Sequence, residues 1–299
     1  MTFFSFCRLT ALVTLAMFAT VLIDRTAPSS LIPQAVAQDE KKEPRETRRT
    51  PALRNKVYER LAEAQVLAEE KNYIGAKEIL DDMISEEGKR ALNSYELANV
   101  YNLQAFLSYS KEDYQGSLRY YELVIAQPDI PLAMEINTRF TVAQLYFVQE
   151  KWRQGIDALL VWFNLNEKPN AGAYVLLAQG YYQVKNYNLA LQNVETAISM
   201  HEVEGKLPKE QWYNLARFLY FDKEDYDSAL NVLNTLIIYY PKKQYWIQAS
   251  HLYGEKKDET RQLALMEAAY EQGFLDRSSE LVTMAYLYLN AEAPYYAGS

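Results

Sequence analysis

An internal period is the feature that most constrains what this chain can fold into. An aromatic residue followed three positions later by a small one recurs at Tyr73 with Ala76, Tyr114 with Ser117, Trp152 with Gly155, Tyr187 with Ala190 and Tyr226 with Ala229, in steps of 41, 38, 35 and 39 residues. A lysine stands within three positions before each (Lys71, Lys111, Lys151, Lys185, Lys223), and the tetrapeptide Lys-Glu-Asp-Tyr occurs at both 111–114 and 223–226. Asn72, Asp113, Asn186 and Asp225 directly precede the aromatic, where a short polar side chain caps the first free N–H groups of a helix. Helical apolar spacing follows each cap, as in Leu118, Tyr121, Val124 and Ile125. A small residue also stands about twelve positions upstream, at Ala64, Ala105, Ala143, Ala178 and Ala216. Small residues on facing helices allow close approach, so the unit reads as a repeated helix hairpin.

Composition agrees. Gly and Pro number ten each in 299 residues, too few for a chain that turns every 8–12 residues or so, as a β-sandwich must. With 49% hydrophobic residues the chain can bury a core. The only cysteine is Cys7 and the only histidines are His201 and His251, which excludes disulfide frameworks, cysteine zinc sites and the two-histidine helix motif of metalloproteases. No glycine-rich phosphate loop is present, and no cofactor is expected. A net charge of −8 without a basic block argues against nucleic acid as a partner.

At the N-terminus, Leu9 to Ile23 is apolar apart from Thr10, Thr14 and Thr20, and Ala35-Val36-Ala37 before Gln38 matches a small-residue cleavage site. Residues 1–37 therefore read as a signal peptide; an uncleaved inner-membrane anchor is the alternative. Residues 38–55, charged and with two prolines, read as a disordered linker, and 56–299 as the repeat domain. Near the end, Leu281, Met284-Ala285 and Tyr288 suggest a seventh first helix and Pro294-Tyr295-Tyr296-Ala297 the opening of its partner, so that either a longer chain or a partner would complete the unit.

In series these motifs resemble the tetratricopeptide repeat family. Trp212, Leu215-Ala216, Leu219, Ala229, Leu233, Leu236 and Pro241 follow its pattern with one extra turn residue, and Tyr174, Leu177-Ala178, Tyr181, Ala190, Val194 and Ala197 follow it without one. The resemblance implies an all-α, right-handed superhelical solenoid of about six repeats plus an incomplete seventh, binding protein partners in a groove lined by the first helices. Carried over by pattern position, the groove residues are Tyr109, Phe147, Tyr182 and Tyr220 as an aromatic ladder, with Phe106, Gln144, Gln179, Arg217 and His251 in a second row. Asn99, Asn137 and Glu210 form a third. Such rings could equally pack against the next hairpin. The Lys/Asn pairing by which some members clamp a C-terminal carboxylate is absent. Trp152, Trp162, Trp212 and Trp246 are expected in the core, and the acidic pairs Glu86-Glu87, Glu112-Asp113 and Glu224-Asp225 as solvated caps. His201 is expected as a solvated cation at a helix end.

The N-terminal segment, the run from Asn55 to Leu61 and the stretch from Leu289 to Ala297 further resemble exported tetratricopeptide proteins of Gram-negative bacteria assigned to the TonB energy-transduction system. That implies a non-catalytic periplasmic scaffold, peripheral to the membrane once its leader is removed, with TonB-ExbB-ExbD components as partners. A coordinator of envelope assembly or division that accompanies the Tol system is the alternative, and a helical-repeat lytic enzyme a remoter one.

Overall fold

The computed structural model describes residues 51–85, 87, 91–128 and 130–291. The expected signal peptide, linker residues 38–50, Glu86 and Pro294–Ala297 lie outside them. Among the described residues there are thirteen α-helices and no strand. They pair as hairpins: α1 (Asn55–Glu69) with α2 (Tyr73–Ser85), α3 (Ser94–Ser110) with α4 (Tyr114–Ile125), α5 (Leu132–Val148) with α6 (Trp152–Leu165), α7 (Ala171–Gln183) with α8 (Tyr187–Val203), α9 (Glu210–Asp222) with α10 (Tyr226–Tyr239), and α11 (Lys243–Glu255) with α12 (Glu259–Glu271). A further first helix, α13 (Ser278–Asn290), packs on α12. The all-α hairpin solenoid read from the period is the fold. Among the described residues no helix is long and apolar enough to cross a membrane.

One turn builds every hairpin. The first helix ends with a residue in the left-handed region: Lys71, Glu112, Glu150, Lys185, Glu224 and Lys257, with φ of 58 to 63°. That conformation costs an L-residue roughly 1–2 kcal/mol relative to the ordinary helical region. It lets the next N–H reach back five residues, as in Asn72 N–H to Leu67 O and Asp225 N–H to Tyr220 O. The residue after the turn then caps the second helix with its own side chain. Asn72, Asp113, Asn186, Asp225 and Asp258 accept from the N–H three residues on at 2.8–3.3 Å. Lys151 has no such bond, so the third hairpin lacks this cap.

The core runs as linked clusters, several joining the second helix of one hairpin to the first helix of the next. Ala190, Val194 and Ala197 of α8 pack with Trp212, Ala216 and Leu219 of α9. Ala229, Leu230, Leu233 and Leu236 of α10 pack with Tyr245, Ala249 and Leu252 of α11. Trp162 and Trp212 are buried, whereas Trp152 and Trp246 are only half-buried. One expected pairing fails. Ala216 belongs with α8, while Ala229 belongs with Tyr213 and Tyr245, so the two do not form the small contact of hairpin five. Arg217 holds the place, seven residues before the turn residue, that Ala64, Ala105, Ala143 and Ala178 hold in hairpins one to four.

The linker expectation also extended too far. Leu53 packs onto the first cluster, and Arg54 is fixed to Glu96 of α3, a carboxylate that is 0% exposed. The Arg54 guanidinium donates from Nε at 2.8 Å and from one terminal nitrogen at 2.7 Å, a two-point bond that ties the start of α1 to the start of α3.

Candidate functional site

The shared turn gives every hairpin an exact internal reference. Residues thirteen, ten, six and three before the left-handed residue lie on one face of the first helix, because those spacings follow the helical period. In hairpin two they are Asn99, Asn102, Phe106 and Tyr109; in three, Asn137, Phe140, Gln144 and Phe147; in four, Gly172, Val175, Gln179 and Tyr182. Hairpin five gives Gln211, Asn214, Phe218 and Phe221, and hairpin six Gln244, Ile247, His251 and Gly254. Tyr58, Leu61, Gln65 and Ala68 complete the row in hairpin one. In a chain that is 23% charged, none of these positions in any hairpin holds Asp, Glu, Lys or Arg. The strip is surface for the most part: Asn102, Asn137, Gln144, Gln179, Gln211 and His251 are exposed, and Phe218 and Phe221 are 40% and 52% exposed.

This register keeps most of the residues proposed from sequence and replaces three, Glu210, Arg217 and Tyr220. Tyr109, Phe147 and Tyr182 pair with the first ring of the following helix, Tyr114, Trp152 and Tyr187, at centroid distances of 5.7, 6.0 and 5.8 Å. The matching pair in hairpin five is Phe221 with Tyr226, at 5.9 Å, not Tyr220. Tyr220 points back across α8, its hydroxyl donating to Glu195. Arg217 likewise leaves the row. It is half-buried, and burial lowers its pKa from the ordinary guanidinium value. Among the described residues its Nε has no hydrogen-bond partner, and a terminal nitrogen reaches Asn214 Oδ1 only at 3.4 Å. Phe218 takes its place and meets Tyr182 edge-on at 5.6 Å, linking hairpins four and five along the strip.

Phe147 is the broken rung. It is 7% exposed and packs with Ala143, Ile156 and Leu159. The cause is Gly180. Five residues before the turn hairpins two, three, five and six carry buried Leu107, Leu145, Leu219 and Leu252, and hairpin one an exposed Val66, but hairpin four carries glycine. A Cβ there would lie 2.7 Å from Phe147 Cε1 and 2.9 Å from Ile156 Cγ1, so the phenylalanine ring fills the space a leucine would occupy.

The remaining members divide by partner. Asn137, Gln144 and Gln179, with Asn102 and Gln211 that the pattern positions had not singled out, make no side-chain hydrogen bond within the described structure. Asn99 is used internally, its amide donating to Tyr95 O at 2.7 Å. Asn214 donates to the Tyr245 hydroxyl at 2.8 Å, and that hydroxyl donates to Glu210. Glu210 also accepts from Lys242 Nζ at 2.6 and 2.7 Å; these bonds from Lys242 and then Tyr245 hold its carboxyl below the ordinary value. Glu210 is therefore an anchor between α9 and α11 rather than part of the strip. His201 is half-buried and meets Trp212 in a tilted ring contact, centroids 4.5 Å apart, instead of standing in solvent. Among the described residues no three His, Cys, Asp or Glu side chains are grouped to hold a metal.

The two exposed rings give a direct check of the register. Phe218→Ala with Phe221→Ala is expected to cost about 1 kcal/mol per site, against about 3–5 kcal/mol for a phenylalanine buried as Phe147 is. Urea unfolding of the two variants checks this; a loss at Phe221 equal to that at Phe147 would return Phe221 to the core.

No protein-family model matches the chain, and no curated protein matches it. The resemblance lies in solved structures, and it defines a class of fold, the helix-hairpin solenoid. The structure of Naa15/Naa10 bound to HypK-THB superposes with a TM-score of 0.52 at 11% identity, over 81% of this chain and 36% of that one. A tetratricopeptide repeat protein from Parabacteroides merdae gives 0.49 at 16% identity, over 81% of this chain and 89% of its own. YrrB, described as a tetratricopeptide repeat protein with an unusual peptide-binding site, gives 0.47 at 14% identity, over 67% of this chain and 92% of its own.

Proposed function

We propose that this protein is a non-catalytic scaffold that docks a polypeptide partner on its row of first helices. The observation that carries the reading is the uncharged strip of amides and rings. Second helices put Lys77, Asp81, Arg119, Glu122, Arg153 and Asp157 into solvent, so exposure alone does not explain why the first-helix strip excludes charge. Exposed rings offer apolar contact at small entropic cost, and primary amides offer both a donor and an acceptor to a peptide backbone.

The finer reading is a periplasmic accessory of TonB-dependent energy transduction. It is supported by the leader-like N-terminus, the small-residue cleavage site and the resemblance of the Asn55–Leu61 run to exported members of that group. Envelope pull-down with the chain from Gln38, alongside a variant carrying Gln144→Glu and Gln179→Glu, tests both levels. Recovery of TonB, ExbB or ExbD by the wild type and loss by the variant is the expected result. Partners kept equally by the variant would remove the strip from the interface, and partners lacking all three proteins would remove the TonB assignment. N-terminal sequencing is expected to return Gln38 from the osmotic-shock fraction; Met1 from the membrane fraction would establish the anchor instead.

A further inference from the structure

The absence of charge is most complete in hairpins two to four. There the flanking positions two residues before the turn hold Ser110, Val148 and Gln183, whereas hairpins one, five and six place Glu69, Asp222 and Glu255 at that border. The positions nine before the turn, Leu103, Thr141 and Leu176, are uncharged as well. A lysine or glutamate laid across this section would lose water and meet no opposite charge. The exposed amides of Asn102, Asn137, Gln144 and Gln179 are not committed to bonds within the described structure, so they are free to take new partners.

We infer that this section takes an extended polypeptide segment without charged side chains, read through its backbone by the free amides and through its apolar side chains by Phe106, Tyr109 and Tyr182. The inference rests on the reading that the strip is the docking surface. Its scale follows from simple geometry. Packed helices lie about 8–10 Å apart, which is the least separation of successive first helices, and an extended chain advances about 3.3 Å per residue. One hairpin therefore meets at least about three residues, and the three neutral hairpins at least about nine. Polar uncharged residues are as acceptable as apolar ones, because the amides stand between the rings. The segment is selected by what it lacks.

The test is selection of random displayed peptides, about twelve residues long, on the full chain, with the binders re-measured as synthetic peptides by fluorescence anisotropy. Selected sequences are expected to be depleted in Asp, Glu, Lys and Arg relative to the unselected library. Their affinity should change less than about twofold between about 0.05 and 0.5 M salt, since no ion pair is there to be screened. Gln144→Glu with Gln179→Glu, both exposed and unbonded, should weaken them at least about tenfold, and Gln144→Lys with Gln179→Lys likewise; Arg153→Glu on the second-helix face should leave them unchanged. Peptides rich in charge that still depend on Gln144 and Gln179 would overturn the inference and keep the docking surface. Neutral peptides indifferent to both pairs of variants would overturn both, as would a library that yields no binder to the folded chain.

Discussion

Gly180→Leu combined with Phe147→Ala is expected to leave the protein closer to wild-type stability than Phe147→Ala alone. Removing the Phe147 ring opens a cavity among Ala143, Ile156 and Leu159, at a cost of about 3–5 kcal/mol. Leucine at 180 on its own drives its Cβ to within 2.7 Å of that ring. Such overpacking costs about 1–3 kcal/mol, from which about 0.8 kcal/mol is recovered because leucine favours the helix more than glycine does. Together the leucine fills the vacated volume, as Leu145 and Leu219 do in neighbouring hairpins, and the two changes should be coupled by more than about 2 kcal/mol. Chemical denaturation of the four proteins of the cycle decides it. Costs that add to within about 0.5 kcal/mol would mean that Phe147 and Gly180 do not share one space.

The same pair explains why part of the strip was hidden in the sequence. The period, the caps and the apolar spacing of the second helices are local properties. They place the hairpins because a left-handed turn with an Asn or Asp cap is written within three residues. The direction of one ring is not local. Phe147 occupies the same turn-relative position as Tyr109 and Tyr182, and what buries it is a missing side chain on the next hairpin.

The slip at Arg217 and Tyr220 was legible. Counting back seven residues from the glutamate in the two copies of Lys-Glu-Asp-Tyr gives Ala105 in one and Arg217 in the other. Aligning on Ala216 because it is small forced an extra turn residue that the turn does not contain. Turn chemistry, set by backbone geometry, is the firmer reference than side-chain size. Counted from the turn, Gln211, Phe218 and Phe221 replace Glu210, Arg217 and Tyr220, and the strip loses both of its charged members.

Arg54→Ala is expected to cost about 3 kcal/mol at neutral pH, by leaving the Glu96 carboxylate fully buried without its counter-charge. Two N–H groups would still hold it, those of Asn93 at 3.0 Å and Arg54 at 3.2 Å. The figure sits at the low end for a broken buried pair because the Arg54 side chain is 44% exposed and water can follow into its place. The pH dependence separates charge from packing. Burial pushes the Glu96 carboxyl up, but the bonds from Arg54 and Asn93 outweigh it and hold the group below the ordinary value of 4.5. A carboxyl lowered in the folded state adds stability above its unfolded value, and that stability is lost as pH falls through the folded value. In the variant, burial loses its main opponent and the same carboxyl is raised, so it costs stability as pH climbs through that higher value. The gap between the two proteins should therefore be widest near neutrality and close on acidification. Because stability in a solenoid is nearly a sum over neighbouring units, the loss should appear first as faster amide exchange across Asn55–Ser85, with Ala171–Val203 unchanged. A gap that stays constant from neutral to acid pH would show that Arg54 contributes only the contact area of its stem.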